Sequence, residues 1–302
     1  MGNIFRRFFV LSAVAAIVVS CDPTSGKGGL AENLSDVRRT AEDIENVAKA
    51  VHDLAESVDE YTSDNKNDAS ETQTTEVLLP SPMNKGKEQI LYRTGYVTSY
   101  NRDNRIPNWV AWRLTKAHTY GNVSREDMKF EEDREVPSPR AAYWDYYNTG
   151  YDRGHMCPAA DNKWSQKAMQ ESFLMTNICP QNTVLNAGDW NELEIQCRKW
   201  ARRYGSINIV CGPILYKGAH KRIGKSKVVV PEAFFKVVMR EGKNPKAIAF
   251  IYKNREGNRP KGDYVNTVDQ LERITGMDFF SSLPDDVEQK MEAEAELSDW
   301  GL

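Results

Sequence analysis

The 302-residue chain predicts an α+β fold, a largely antiparallel central sheet flanked by helices. Three observations carry this expectation. Runs that alternate apolar and polar residues and are rich in aromatic and β-branched side chains read as strands: "ILYRTGYVTSYN" from 90, "PNWVAWRLTKAH" from 107, "INIVCGPIL" from 207, "VVVPEAFFKVVMR" from 228 and "KAIAFIY" from 246. Helical spacing marks "SQKAMQESFLM" from 165, "DWNELEIQCRKWARRY" from 189, closed by Gly205, and "TVDQLERITG" from 267. The mixed order and hairpin-length connections favour antiparallel pairing over repeated βαβ units. A hydrophobic content of 40% is enough for a core, and no internal repeat is visible.

Taken from the N-terminus, residues 1–20 read as an export signal. Arg6 and Arg7 precede "FFVLSAVAAIVV", an apolar stretch short for a membrane span, and "VVSC" brings small residues to Cys21. The pattern resembles a bacterial lipoprotein signal. It implies export, cleavage before Cys21 and anchoring of the chain to a cell membrane through lipid on that cysteine, in the periplasm or at the cell surface. Residues 21–29 are linker-like. Over 30–60, Leu30, Leu34, Val37, Ala41, Ile44, Ala48, Val51, Ala55 and Val58 repeat at spacings of four and three. Residues 30–58 could thus pair in a homo-oligomer, or dock as a helix on their own domain. Residues 61–82 are polar and read as a disordered linker. The globular domain is expected over 83–283, and 284–302 form an acidic tail expected to be peripheral.

The net charge of −3 conceals a strong asymmetry. Residues 22–82 hold 5 basic and 14 acidic side chains, residues 83–283 hold 32 and 22, and residues 284–302 hold 1 and 7. A basic domain suits a polyanion, because its field raises encounter rates and phosphate contacts release counterions. Within it, "YDRGHMCPAAD" from 151 concentrates Asp152, Arg153, Gly154 and His155. From 186 onward, read as one helix, Asn186, Glu194 and Arg198 form a slowly drifting polar stripe with Trp190 and Arg202. Beside it Trp190, Leu193, Cys197, Ala201 and Tyr204 make an apolar stripe that should face the sheet. Each residue alone has an ordinary explanation: Asn177 in a turn, Glu194 and Arg198 as a solvated pair, His155 as a structural histidine.

Together and in order, "DRGH" at 152–155, "TNICPQN" at 176–182, "LNAGDWNELE" at 185–194 and Arg198 resemble the signature of the DNA/RNA non-specific endonucleases, which are His-Me finger (ββα-metal) nucleases. The likeness extends over most of residues 90–283. It implies phosphodiester hydrolysis on DNA and RNA alike, leaving 5′-phosphates. His155 would be the general base, and Asn186 the direct ligand of Mg2+, with Mn2+ a possible substitute. Glu194 would hold metal-bound waters. Arg153 and Arg198 would grip phosphate, Arg202 would add to substrate binding, and Asp152 and Asn177 would orient their neighbours.

The residue types suit that chemistry. A neutral imidazole can take a proton from water near neutral pH, a hard cation with few protein ligands can stabilise a leaving oxygen, and guanidinium groups clasp phosphate. No zinc-finger spacing, recognition-helix motif or RNP-type signature is present, so contacts should fall on the nucleic-acid backbone. The basic run "KGAHKRIGKSK" from 217 could contribute, or could be a solvated loop. Two rival readings are a zinc site from His155, Cys157 and Cys179, and a non-catalytic surface lipoprotein that binds nucleic acid or metal. Export would permit disulfides among Cys157, Cys179, Cys197 and Cys211. Four cysteines allow three connectivities, of which the working expectation joins Cys157 to Cys179 and Cys197 to Cys211.

Overall fold

A computed structural model describes residues 77–82, 88–255, 257 and 259–302. The export signal, Cys21 and the heptad-patterned segment lie outside the described residues. A seven-stranded sheet organises the rest, in the order β1 (Gln89–Tyr92), β2 (Val97–Asn101), β3 (Ile106–Thr115), β6 (Ser206–Ile214), β9 (Ala233–Arg240), β10 (Lys246–Lys253), β11 (Val265–Asn266). Every neighbouring pair is antiparallel. Two short ribbons lie apart from it, β4 (Asp152–His155) with β5 (Ile178–Gln181), and β7 (Arg222–Ile223) with β8 (Val228–Val229). The helices are α1 (Gln166–Ser172), α2 (Thr183–Ala187), α3 (Asp189–Tyr204), α4 (Val268–Thr275) and α5 (Asp285–Glu292).

The two-residue period of the strands divides the core into two layers. Val110, Trp112 and Leu114 of β3, Ile207, Ile209 and Cys211 of β6, Phe234 and Val238 of β9, and Ile248 and Phe250 of β10 face one side. There they meet Trp190, Leu193, Cys197, Trp200 and Ala201 of α3, with Tyr204, expected in the apolar stripe, only partly buried beside them. Trp109, Ala111, Val210, Phe235, Val237, Ala247 and Ala249 face the other side, against Val268 and Leu271 of α4 and Met291 of α5. Both faces being covered, every position of β6 is buried.

Several boundaries differ from those expected. Two strand-like runs are split, the first by a turn closed from Arg93 N–H to the Tyr96 carbonyl and the second around Pro231, which lacks the N–H a continuous ladder needs. The expected linker is structured at its end: Leu78 is buried, its N–H donating to Asn208 Oδ1 at 3.4 Å. Nor is the C-terminal tail peripheral. Its acidity obscures a few large apolar residues: Met291 is buried, and the Trp300 ring packs at a tilt 4.8 Å from that of Trp200, whose Nε1 donates to the Trp300 carbonyl at 2.8 Å. Lys246 adds bridges to Glu294 and Asp299 at 3.2 and 3.0 Å. All four cysteines of the domain are buried free thiols, contrary to the expected pairings. Cys211 Sγ donates to the Met156 carbonyl and Cys157 Sγ accepts from Asn162, so these sulfurs serve packing and local hydrogen bonds.

Trp300→Ala should destabilise the chain by about 3–5 kcal/mol, the usual cost of truncating a buried tryptophan. Urea unfolding would read the loss, and an unchanged midpoint would mean that the tail is dispensable to the fold.

Candidate active site

The β4–β5 ribbon and the α2–α3 pair form the walls of an open cleft of about 680 Å3. Antiparallel pairing sets Gly154 opposite Cys179 and His155 opposite Ile178. A side chain at 154 could not be accommodated, since a Cβ there would lie 2.2 Å from Gln181 Oε1 and 2.6 Å from its Cβ. The glycine therefore serves the close approach of the neighbouring strand. Behind the ribbon, buried Asn177 acts as a clamp. Its Oδ1 accepts from Cys157 N–H at 2.9 Å, and its Nδ2 donates to the carbonyls of Cys157 at 2.9 Å and Ser172 at 2.8 Å. Asn177 thus fixes the chain just beyond His155 and does not line the cleft.

His155 lines the cleft, its ring 5.3 Å from that of Phe130 and 4.9 Å, edge to face, from that of Phe173. Its Nε2 is buried with no hydrogen-bond partner among the described residues. Burial foremost, and then the charge of Arg125, lowers its pKa to about 3, so the imidazole is neutral across the physiological range. Arg153 also lines the cleft, with its guanidinium 4.9 Å over the Phe130 ring and its Nε buried without a partner.

Asn186 and Glu194 do not share one continuous helix, as the sequence had suggested. Asn182 caps α2 by accepting from the N–H groups of Val184 and Leu185, and the helix ends at Gly188, whose backbone (φ −97°, ψ −114°) breaks the cylinder before α3 begins. Freed from α3, Asn186 turns to the ribbon: its Nδ2 donates to Asp152 Oδ2 at 3.0 Å, while Thr183 Oγ1 donates to Asp152 Oδ1 at 3.0 Å. Because a carboxylate only accepts, the amide nitrogen must face Asp152, and the amide oxygen remains available as a ligand. Glu194 and Arg198, one turn apart on α3, line the same cleft.

Arg198 is anchored at the base of the cleft by Asp161. Its Nη1 donates to Asp161 Oδ1 at 2.8 Å, and Trp112 Nε1 donates to Asp161 Oδ2 at 3.1 Å. Glu194 rests above Lys236, with Nζ 3.9 Å from Oε1 and side-chain exposures of 1% for the lysine and 12% for the glutamate. The ammonium lies 4.3 Å over the Trp190 ring and 5.6 Å over that of Trp112. Burial pushes the Glu194 carboxyl up to about 7 against the pull of Lys236, and Glu194 in turn helps hold Lys236 protonated.

The sequence reading missed Asp161, Trp112 and Lys236. A lysine in the midst of the apolar strand "AFFKVVMR" was the one visible sign of the last. Arg202, grouped with the substrate-binding residues, lies elsewhere: one turn beyond Arg198, its Nε donates to Thr119 Oγ1 at 3.0 Å and it covers the Tyr120 ring. In the basic run, Arg222 is occupied by the carbonyls of Asp103 and Lys227, while Lys221 sits over Tyr151 at the cleft edge. The zinc triad is not assembled. Among the described residues, the one metal-compatible group of His, Cys, Asp or Glu side chains is Asp269, Glu272 and Glu292.

A family model described as DNA/RNA non-specific endonuclease matches residues 74–286. The chain belongs to that family. It is 36% identical over 215 residues to the mitochondrial nuclease EXOG of Danio rerio, covering 66% of this chain and 62% of that protein. It is 31% identical over 212 residues to the mitochondrial endonuclease G of Homo sapiens, covering 66% and 71%. A crystal structure of an EndoG/EndoGI complex, described as showing the mechanism of EndoG inhibition, superimposes with a TM-score of 0.62 at 28% identity, over 66% of this chain and 88% of that one. The chain spans just over three fifths of the EXOG relative's length. The ribbon followed by α2 and α3 is the ββα unit of a His-Me finger nuclease.

Lys236→Met should cost about 3–5 kcal/mol, as removal of one partner of a buried ion pair does, and noticeably less in a Glu194→Gln background. A double-mutant cycle by urea unfolding measures the coupling. Equal losses in both backgrounds would show that the two side chains act independently.

Proposed function

We propose that this chain is a divalent-metal-dependent nuclease that cleaves DNA and RNA internally and leaves 5′-phosphates. The observation that carries this reading is the convergence in one cleft of a neutral imidazole, an amide held by Asp152, a carboxylate and the guanidinium groups of Arg125, Arg153 and Arg198. Family membership and the nuclease relatives support it.

Arg153 and Arg198 bind a phosphodiester by charge-assisted hydrogen bonds. Asp161 holds Arg198 in place, so little freedom is lost when phosphate is bound. His155 accepts a proton from the attacking water, whose oxygen bonds to phosphorus as the bond to the 3′ oxygen breaks; a proton is then returned to that leaving oxygen. Asn186 and Glu194 fit an ion with few protein ligands, because both line the cleft and the amide nitrogen of Asn186 is already committed to Asp152. Such an ion, Mg2+ with Mn2+ as a substitute, supplies stabilisation of the charge developing on the leaving oxygen. Asp152 and Asn177 are positioning residues.

Tyr143, Trp144 and Tyr147 extend the cleft outward. They cluster at ring separations of 4.8 and 5.9 Å, and Trp144 is 45% exposed. Tyr147 reaches the cleft itself. Such faces stack on unpaired bases without regard to their identity, in keeping with a non-specific nuclease.

We further propose export and lipid anchoring through Cys21, and self-association through residues 30–58, on the sequence patterns alone. Among the described residues no helix is long and apolar enough to cross a membrane. The non-catalytic alternative has less support, since none of the groups the chemistry needs is missing from the cleft.

Incubating the full chain with plasmid and with RNA in Mg2+ should cleave both, and EDTA should stop cleavage. His155→Ala should lower turnover by about 10²–10⁴-fold, the usual range for a general base. Full activity of that variant would refute the assignment of the base. In binding measurements with a short oligonucleotide, Trp144→Ala should weaken single-stranded DNA by about tenfold and leave a duplex nearly unaffected. Equal weakening of both would show that the ridge contacts backbone.

A further inference from the structure

On the sheet face opposite the cleft, carboxylates converge between α4 and α5. Asp269 and Glu272 stand one turn apart on α4, and Glu288 and Glu292 one turn apart on α5. Carboxylate oxygens of Asp269, Glu272 and Glu292 lie within 4.8 Å of one another. Two of these groups also lack a partner for one oxygen. Glu292 is only 5% exposed, yet its Oε1 has no hydrogen-bond partner, and the buried Oε1 of Glu288 has none either.

The surroundings offer little relief. Phe279 N–H donates to Glu272 Oε1 at 2.8 Å, and Ser81 Oγ donates to Asp278 Oδ2 at 3.1 Å. After burial itself, the groups that act most on Glu292 are Glu272, Glu288, Asp269 and Asp278, all acidic. Burying a carboxylate among others is costly unless something compensates it. A single shared proton neutralises one charge and supplies one hydrogen bond, while two separate buried oxygens lack donors. A divalent cation cancels two charges and engages several oxygens at once.

The ligand set bears on which cation. Calcium takes several carboxylates in a flexible shell, whereas magnesium demands near-ideal octahedral geometry, keeps several of its waters and is usually held by only one or two carboxylates. Asp269 and Glu272 are half-buried, which leaves room for water in an incomplete shell.

We propose that Asp269, Glu272 and Glu292, with Glu288 beside them, form a calcium site that ties α5 to α4. The site is separate from the cleft and does not depend on the proposed nuclease chemistry. With its shell completed by water, it binds weakly, at about 10⁻⁴–10⁻³ M.

Two measurements on the full chain test it. Equilibrium dialysis against calcium should find one ion fewer on Glu292→Gln than on the wild type. The same difference of one should separate Asn186→Ala from Asn186→Ala/Glu292→Gln, so any ion held in the cleft is counted apart. In thermal unfolding, a calcium concentration about ten times the dissociation constant should raise the wild-type Tm by about 3–6 °C over EDTA. Glu292→Gln should show no calcium response, and in EDTA should melt above the wild type because one repelling charge is gone. Equal ion counts in wild type and Glu292→Gln, or a wild-type Tm indifferent to calcium, would overturn the site and leave a proton holding the cluster. An equal shift with magnesium would overturn the choice of ion. If circular dichroism shows Glu292→Gln unfolded, half-buried Asp269→Asn replaces it with the same two readouts and the same outcomes.

Discussion

The site depends on one hydrogen bond, from the Asn186 amide to the Asp152 carboxylate. It joins two pieces of chain that the main sheet does not connect, the β4–β5 ribbon and the α2–α3 pair. On one uninterrupted helix, Asn186 would precede Glu194 by eight residues and sit about 80° around the cylinder from it. The break at Gly188 removes that constraint. Asn186 can then follow Asp152 while Glu194 follows the sheet-facing register of α3, and the two reach one cleft from different directions.

Beneath the cleft, buried charges alternate in sign. Lys236 meets Glu194, Arg198 meets Asp161, and Trp112 closes the chain by donating to the remaining oxygen of Asp161. The order follows from strand periodicity, which puts Lys236 on the same face as Phe234 and Val238, under α3. An ammonium in that layer is tolerable because two tryptophan rings and a carboxylate replace its water. Burial still leaves Glu194 with a carboxyl near 7, so Lys236 alone does not fully offset its desolvation. On the proposed reading, positive charge entering from the open side of the cleft supplies what is missing.

What could be read from the sequence was local. The strand and helix periods, the closing Gly205, the sheet-facing stripe of α3 and the compact Asp152–His155 run all express chemistry within a few residues, and the fold bears out the α+β expectation. The rest depended on distance along the chain. Lys236 lies 42 residues beyond Glu194 and Asp161 lies 37 before Arg198, and no local pattern announces such pairings. Gly188 was visible, but uninterrupted polar spacing on both sides concealed the break. In the tail, net acidity outweighed Met291 and Trp300, although two apolar residues of that size are enough to dock a segment onto an existing core. The expected cysteine pairings rest on the compartment alone, and four buried thiols, on β5, α3, β6 and the segment after β4, take part in packing instead.

On the proposed reading, the depressed pKa of His155 links substrate binding to proton transfer. Burial foremost, and then the charge of Arg125, which also lines the cleft, makes a protonated imidazole unfavourable there, so the ring is free to accept a proton before substrate arrives. A group with a pKa near 3 is by itself a weak proton acceptor. A phosphodiester bound between Arg153 and Arg198 changes that, because its negative charge offsets the guanidinium groups and raises the proton affinity of the ring beside it. On this reading the imidazole becomes a competent base only when the anion it acts on is in place. That dependence follows from the proximity of the charges in one cleft and requires no movement of the chain.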